Sequence, residues 1–369
     1  MNTPDSIEVG YKASRVREFL ETKGYDIMVI GRQDNFAWFT DGGNNRVVLP
    51  SEAGFSILVI TAKDIFLVSQ VMDGRRVLEE ELQGLDIQYA PLYWYEASRE
   101  EKVLELTGGG RVISDISIKG ADYMLSEIYK LHYPLTRREI DKLKWLGEKT
   151  DEILFKIVQE TKPGMSEHEV EAMFMCEYGK YNISCDVLLV GSDERIFKYR
   201  HPNPSDKKID RYVLLHPAVR KWGLHANVTR LVYFGDTIPQ EIGKKYEAAC
   251  SIEAAAMSMC IPGTSFSDIL KEQKRLYSEF GYGDEWRYHY QGGITGYMVA
   301  DPTLCMNPEN IVCENQAYDW FITITGVKVE ELGINTGNCR DIPSVSGKWP
   351  SKEYHFNGSS FRLPVILNR

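Results

Sequence analysis

Residues 139–169 read EIDKLKWLGEKTDEILFKIVQETKPGMSEHE, and the layout of this stretch decides the fold. Ile140, Leu143, Leu146, Ile153, Leu154, Ile157 and Val158 recur at helical spacing, which predicts one long amphipathic helix over residues 139–160. Lys162-Pro163-Gly164 stops it, and Ser166 with Glu169 three residues later forms a capping box that opens a second helix. The same events return in residues 240–268, QEIGKKYEAACSIEAAAMSMCIPGTSFSD, where a helical pattern ends in Ile261-Pro262-Gly263 and Ser265 opens the next helix. The two Pro-Gly stops lie 99 residues apart. Each helix–stop–helix unit is followed by strand-like sequence, so the segment reads as an internal duplication whose strands form one curved antiparallel sheet. A site shared by the halves belongs on the strand face where they meet.

Outward from the duplication, residues 211–219 and 224–234 are β-rich around a turn at Gly223, and residues 319–329 read as one further strand. Residues 354–362 carry Asn357-Gly358, a strong hairpin signal. Upstream, residues 1–135 alternate helix and strand: a helix over 11–23, strands at 26–30, 55–60, 65–70 and 111–116, and helices near 74–83 and 121–131. Residues 34–45, DNFAWFTDGGNN, read as an exposed Gly/Asn loop carrying aromatics, which around Trp38 could complete a neighbour's pocket in a dimer. The fold class is therefore α/β (α+β): a small N-terminal α/β domain over 1–135 and a C-terminal domain of duplicated helix–helix–strand halves over 136–369.

Of 369 residues, 26% are charged and 43% hydrophobic, the balance of a globular protein. The net charge of −10 without any Lys/Arg cluster argues against nucleic acid as a partner. No apolar run is long enough to span a bilayer, and the first residues lack the basic and apolar regions of a signal peptide, so the expected location is cytoplasmic. Seven cysteines, odd in number and never in C-x-x-C spacing, fit a reducing compartment rather than a disulfide or zinc framework.

The landmarks together resemble the pita-bread superfamily of methionine aminopeptidase, aminopeptidase P, prolidase and creatinase. They are residues 161–169 (similar to K-P-G-x-[ST]-E), the segment from Gly191 to His201, Thr229-Arg230, residues 292–296, and GVKVEE at 326–331 (similar to G-x-R-x-E-[DN]). The resemblance implies an Xaa-Pro peptidase-like fold and, in its metallopeptidases, two divalent ions held by two Asp, one His and two Glu. Here those positions read His216, Asn227, Gly293, a WFITIT stretch without an acid, and Glu330. The eleven-residue spacing from 216 to 227 is kept while both carboxylates are gone. Two divalent cations need several carboxylates to offset their charge, so the expectation is no metal and no cofactor.

Creatinase, a metal-free member, works through a histidine in a motif that His201-Pro202-Asn203-Pro204-Ser205 resembles. That resemblance implies His201 as general acid and base, with Glu330 as its catalytic companion. Arg200, His216, His225, Asn227, His289 and Gly293 are the candidate substrate contacts. Each has an ordinary structural reading beside the functional one. The leading expectation is metal-independent cleavage of a small amide, peptide or amidine-type substrate. A ligand- or partner-binding protein without chemistry and an Xaa-Pro metallopeptidase are the alternatives. The resemblance also implies a homodimer, and the lack of a long apolar run leads to the expectation of no membrane partner.

Overall fold

The computed structural model describes residues 3–96, 98–337 and 339–369. It divides into two units, residues 3–132 with 222–224, and residues 133–221 with 225–369.

In the first unit the elements run α1 (Ser6–Lys23), β1 (Ile27–Arg32), α2 (Gln33–Phe39), β2 (Ala53–Ile60), β3 (Ile65–Gln70), α3 (Val71–Arg76), β4 (Gln88–Leu92), α4 (Arg99–Thr107), β5 (Val112–Ser114), β6 (Ala121–Tyr123) and α5 (Leu125–Tyr129). The six strands form one mixed sheet in the order β4-β3-β2-β1-β5-β6. Two sequence expectations are corrected here. The predicted helix over 121–131 begins as a strand and becomes helical only from Leu125. The predicted exposed loop at 34–45 starts as helix α2, whose seven residues are all buried, Trp38 completely. The helix is anchored by buried Asp115, which accepts from the Gly31 and Arg32 amides and from Asn35 Nδ2 at 2.7–3.1 Å. A helix buried on every side has no amphipathic period, so nothing in its pattern announces it. Trp38 is a core residue of its unit and is not an exposed loop side chain.

The second unit opens with α6 (Arg137–Glu160) and α7 (Glu167–Gly179), each started by a complete capping box, Thr136 with Glu139 and Ser166 with Glu169. Such a cap is worth about 1 kcal/mol and fixes where the helix begins. Then follow β7 (Ser184–Ser192), α8 (Glu194–Lys198), β8 (Tyr212–Lys221), β9 (Leu224–Asn227) and β10 (Arg230–Tyr233). The second half supplies α9 (Gln240–Ser258), α10 (Phe266–Glu279), β11 (Gly292–Ile294), β12 (Gln316–Ile324), β13 (Val327–Thr336) and β14 (Cys339–Asp341). The hairpin β15 (Ser351–Phe356) and β16 (Ser359–Pro364) follows, and β17 (Leu367–Asn368) pairs in parallel with β10. The predicted single strand at 319–329 is a hairpin, β12 and β13, turned at Thr325 and Gly326.

The two halves repeat each other in detail. Gly164 and Gly263 both take left-handed backbone, at φ 90° and 93°. Their amides donate to Ile209 and Val312 carbonyls at 2.8 and 2.9 Å. The N-cap serines pair equivalently, Ser166 with Lys208 and Ser265 with Ile311. The halves meet where Thr229 bridges Glu330. One face of β12 and β13 (Tyr318, Trp320, Ile322, Ile324, Val327, Val329) belongs to the apolar core built with α9 and α10. Strand alternation sends Asp319, Phe321, Lys328 and Glu330 to the other face. Among the described residues, no helix is long and apolar enough to cross a membrane.

Candidate functional site

The face turned away from that core carries the site. Glu330 sits at its centre and is buried. A single oxygen, Oε2, receives three groups: Lys328 Nζ at 2.7 Å, His216 Nδ1 at 2.9 Å and the Thr229 hydroxyl, which donates at 2.9 Å. Burial would raise the Glu330 carboxyl, but His216 and Lys328 outweigh it and hold the group far below the usual carboxylate range. His216 is itself buried, which lowers its imidazole below the ordinary value and keeps it neutral near pH 7.

Asp319 lies opposite Gly293 in the β11–β12 register and two pairs from Glu330 in the β12–β13 register. Its Oδ2 accepts from Asn227 Nδ2 at 2.7 Å, while its Oδ1 and Asn227 Oδ1 have no partner. Burial first, and the Glu330 charge second, push the Asp319 carboxyl well above its ordinary value. The two acids are thus driven apart, Glu330 held low by His216 and Lys328 and Asp319 pushed up by burial and by Glu330. The WFITIT stretch itself holds no acid, but Asp319 stands immediately before it and faces the site.

Beside this cluster, His201 and His289 approach Nε2 to Nε2 at 3.1 Å with their rings edge-on. His289 Nδ1 also contacts the Tyr290 carbonyl oxygen at 2.5 Å. Because a carbonyl only accepts, His289 carries its proton on Nδ1 and its Nε2 accepts from His201, an assignment made from the hydrogen bonds. His201 Nδ1 is left with a free lone pair, and the side chain is exposed. Desolvation, reinforced by Lys328, lowers both imidazoles, His289 to about 4. The His289 ring packs on Phe321, whose own ring lies 5.7 Å from Lys328 Nζ, so the pair and the acid cluster adjoin. A cavity of about 440 Å³ opens at His289 between Trp286, Tyr288, Tyr290, Leu270 and Met306.

The remaining candidates are drawn elsewhere. Arg200 Nη2 donates to Glu285 at 2.5 Å and to the Thr325 hydroxyl at 3.1 Å. His225, two residues before Asn227, is held by Asp186 at 3.2 Å and the Gly296 carbonyl at 3.1 Å. Gly293 contributes backbone only. Sequence reasoning missed Asp319, Lys328 and Thr229. For Lys328 the available signal was its position two before Glu330 on a strand, hence on the same face.

Residues 141–316 match the model of metallopeptidase family M24. An uncharacterized peptidase of Staphylococcus aureus (strain MSSA476) is 23% identical over 53% of this chain and 56% of its own. The match thus spans about half the length of such curated relatives. Among solved structures, a Xaa-Pro dipeptidase from Bacillus anthracis superposes with a TM-score of 0.75 at 16% identity, covering 98% of this chain and 100% of its own. A dipeptidase from Mycobacterium ulcerans gives 0.77 at 15% identity over 100% of both chains. The N-terminal domain of a FACT complex subunit from Cicer arietinum (chickpea) gives 0.67 at 13% identity, covering 92% and 97%. At these identities the structural likenesses establish the fold.

Proposed function

We propose that the chain is a member of the pita-bread Xaa-Pro peptidase superfamily, a reading supported by the M24 match over residues 141–316 and by the fold, and that it is a metal-independent hydrolase of a small amide, peptide or amidine-type substrate with His201 as general acid and base. The observation that carries this reading is the Tyr290 carbonyl–His289–His201 chain of hydrogen bonds. It orients a neutral, solvent-reachable imidazole with its Nδ1 lone pair outward. In the proposed reaction Nδ1 takes a proton from water as the water oxygen attacks the substrate carbon. The resulting imidazolium then protonates the departing nitrogen as the C–N bond breaks. Such proton transfer contributes about 10²- to 10⁴-fold in rate.

The metal-free part of the proposal is supported by the donor set. The five superfamily positions present one carboxylate, an imidazole, an amide, a glycine and a stretch without an acid, with Asp319 immediately before that stretch. An ammonium already sits on the ionised carboxylate. A divalent ion about 4 Å from that ammonium would be repelled by about 8 kcal/mol at an effective dielectric of ~20. The residues present do not fit a metal pair, and no step is routed through one.

The test is a panel of amides, dipeptides and amidines read by mass spectrometry with wild-type protein and His201→Ala. Loss of turnover by two to four orders of magnitude with an unchanged circular dichroism spectrum supports the role. Undiminished turnover removes His201 from the mechanism. A second reading, binding without chemistry, is favoured by the mutual saturation of Lys328, Glu330 and His216. It predicts ligands recovered unmodified after incubation.

A further inference from the structure

We propose that the cavity beside His289 receives the part of the substrate next to the bond that is cut, and that it selects a bulky, uncharged apolar group, aromatic or large aliphatic. The proposal deepens the function given above and rests on its placing of His201 as acid and base.

The cavity comes from a short run of sequence. Residues 286–290 read WRYHY, and Trp286, Tyr288 and Tyr290 wall a space of about 440 Å³ together with Leu270 and Met306, within the range of small-molecule sites. Its inner wall is preformed: the His289, Tyr290 and Phe321 rings contact one another pairwise, with centroids 4.7–5.5 Å apart. The rim, in contrast, stays in water. Tyr288 is 65% exposed, Tyr290 53% and Met306 80%. Large apolar side chains left wet around one hollow mark a surface that a ligand's apolar group completes. Met306, unbranched and polarizable, adapts to the shape of what enters.

Position ties the cavity to the chemistry. His289 belongs to its lining and also accepts the hydrogen bond from His201 Nε2. The two imidazole centroids lie 5.0 Å apart, so a group seated against His289 is one ring away from His201. Charge then narrows the choice. Among the described residues no carboxylate lines the cavity, whereas Arg287 does. The Trp286 ring already carries Lys274 Nζ at 3.9 Å and the Arg287 guanidinium at 5.7 Å from its centroid. Arg287 is paired with Asp284 at 3.4 Å, but Lys274 forms no ion pair among the described residues. A cationic amidinium would meet that uncompensated charge. Of the substrate classes above, the cavity fits amides and peptides bearing a large apolar side chain.

The experiment titrates N-acetyl-L-phenylalaninamide and N-acetylglycinamide by calorimetry into the full chain as wild type, His201→Ala and Leu270→Trp, with benzamide and benzamidine as a neutral and a cationic probe of one shape. A single methylene in an apolar pocket discriminates by about 10- to 200-fold, so a whole ring is expected to give at least tenfold tighter binding than glycine in wild type and in His201→Ala. Leu270→Trp fills the cavity and loses the preference, and benzamide binds more tightly than benzamidine. If Leu270→Trp is not recovered folded, Tyr288→Ala, at an exposed residue, replaces it and weakens the phenylalanine probe at least threefold. A preference below tenfold in wild type overturns the proposal, as does a full preference in the folded cavity variant or tighter binding of benzamidine. Expected binding without turnover of any amide removes the hydrolase reading and leaves the apolar site standing. Turnover through His201 with no preference for an apolar residue removes this proposal alone.

Discussion

Glu330→Gln is the sharpest probe of the centre. Gln keeps the shape of the side chain and removes the charge, leaving the Lys328 ammonium buried with no anion among its described neighbours. Both partners are below 5% exposed, so solvent does not screen the pair. Breaking a buried pair from one side costs about 3–5 kcal/mol. Asp319 tempers that cost. The Glu330 charge is part of what holds the Asp319 carboxyl neutral, so without it Asp319 ionises more readily and takes over part of the compensation. The expected loss is therefore near the lower end, about 3 kcal/mol. At about 2–4 °C per kcal/mol for a unit of this size, Tm falls by roughly 6–12 °C.

Urea unfolding followed by circular dichroism measures the loss directly, and Glu330→Gln/Lys328→Met supplies the control. With both charges gone, the double variant recovers at least about 2 kcal/mol relative to Glu330→Gln, a coupling that a double-mutant cycle isolates. The pH dependence has a definite sign. The Glu330 carboxyl is depressed on folding, so its contribution is complete above the unfolded value of about 4.3 and is lost only as pH falls toward the folded one. The deficit of Glu330→Gln is therefore flat from pH 5 to 8. A double variant no more stable than Glu330→Gln would refute the reasoning.

Three further outcomes follow from the same geometry. The His289 imidazole titrates near 4 in the folded chain and about 6.5 unfolded, so stability falls as pH drops from 6.5 to 4, by at most about 3 kcal/mol, and His289→Asn flattens that slope in urea midpoints taken across the range. Gly292 sits at φ +111° with the Asp319 carbonyl oxygen 2.1 Å from where a Cβ would stand, so Gly292→Ala lowers stability by about 2–4 kcal/mol in thermal melts. Trp38→Ala costs about 3–5 kcal/mol because the indole is core, while Trp38→Phe leaves the native mass by light scattering unchanged.

How much was legible depended on the distance over which each signal acts. Capping boxes and Pro-Gly stops are read within a few residues, so α6, α7, α9 and α10 lie close to where the sequence puts them. Helix α2 was lost because burial on all sides erases periodicity. The β12–β13 hairpin was lost because Thr325 and Gly326 break an otherwise continuous apolar, β-branched run. At the site, His216, Asn227, Gly293 and Glu330 follow from spacing against the superfamily pattern. Asp319 does not, since its place opposite Gly293 is fixed by a cross-strand register that no local window contains. Arg200 reads as a substrate contact from the sequence because its partner, Glu285, lies 85 residues further on.

The landmarks that carry the resemblance also explain why resemblance alone cannot give the chemistry. Thr229-Arg230 and Glu330-Glu331 are adjacent pairs from opposite halves, joined by the isolated Thr229–Glu330 bridge, and alternation turns the two members of each pair to opposite sides. On the site face Thr229 holds Glu330 by hydroxyl and by amide. On the core face Arg230, wholly buried, is held by Glu331, by Asp151 at 2.8 Å and by the Ser344 carbonyl at 2.8 Å. Together they fasten one half of the duplication to the other. The motif therefore reports architecture, and chemistry must be argued from side chains the fastening does not use: His201, His289, Asp319 and Lys328.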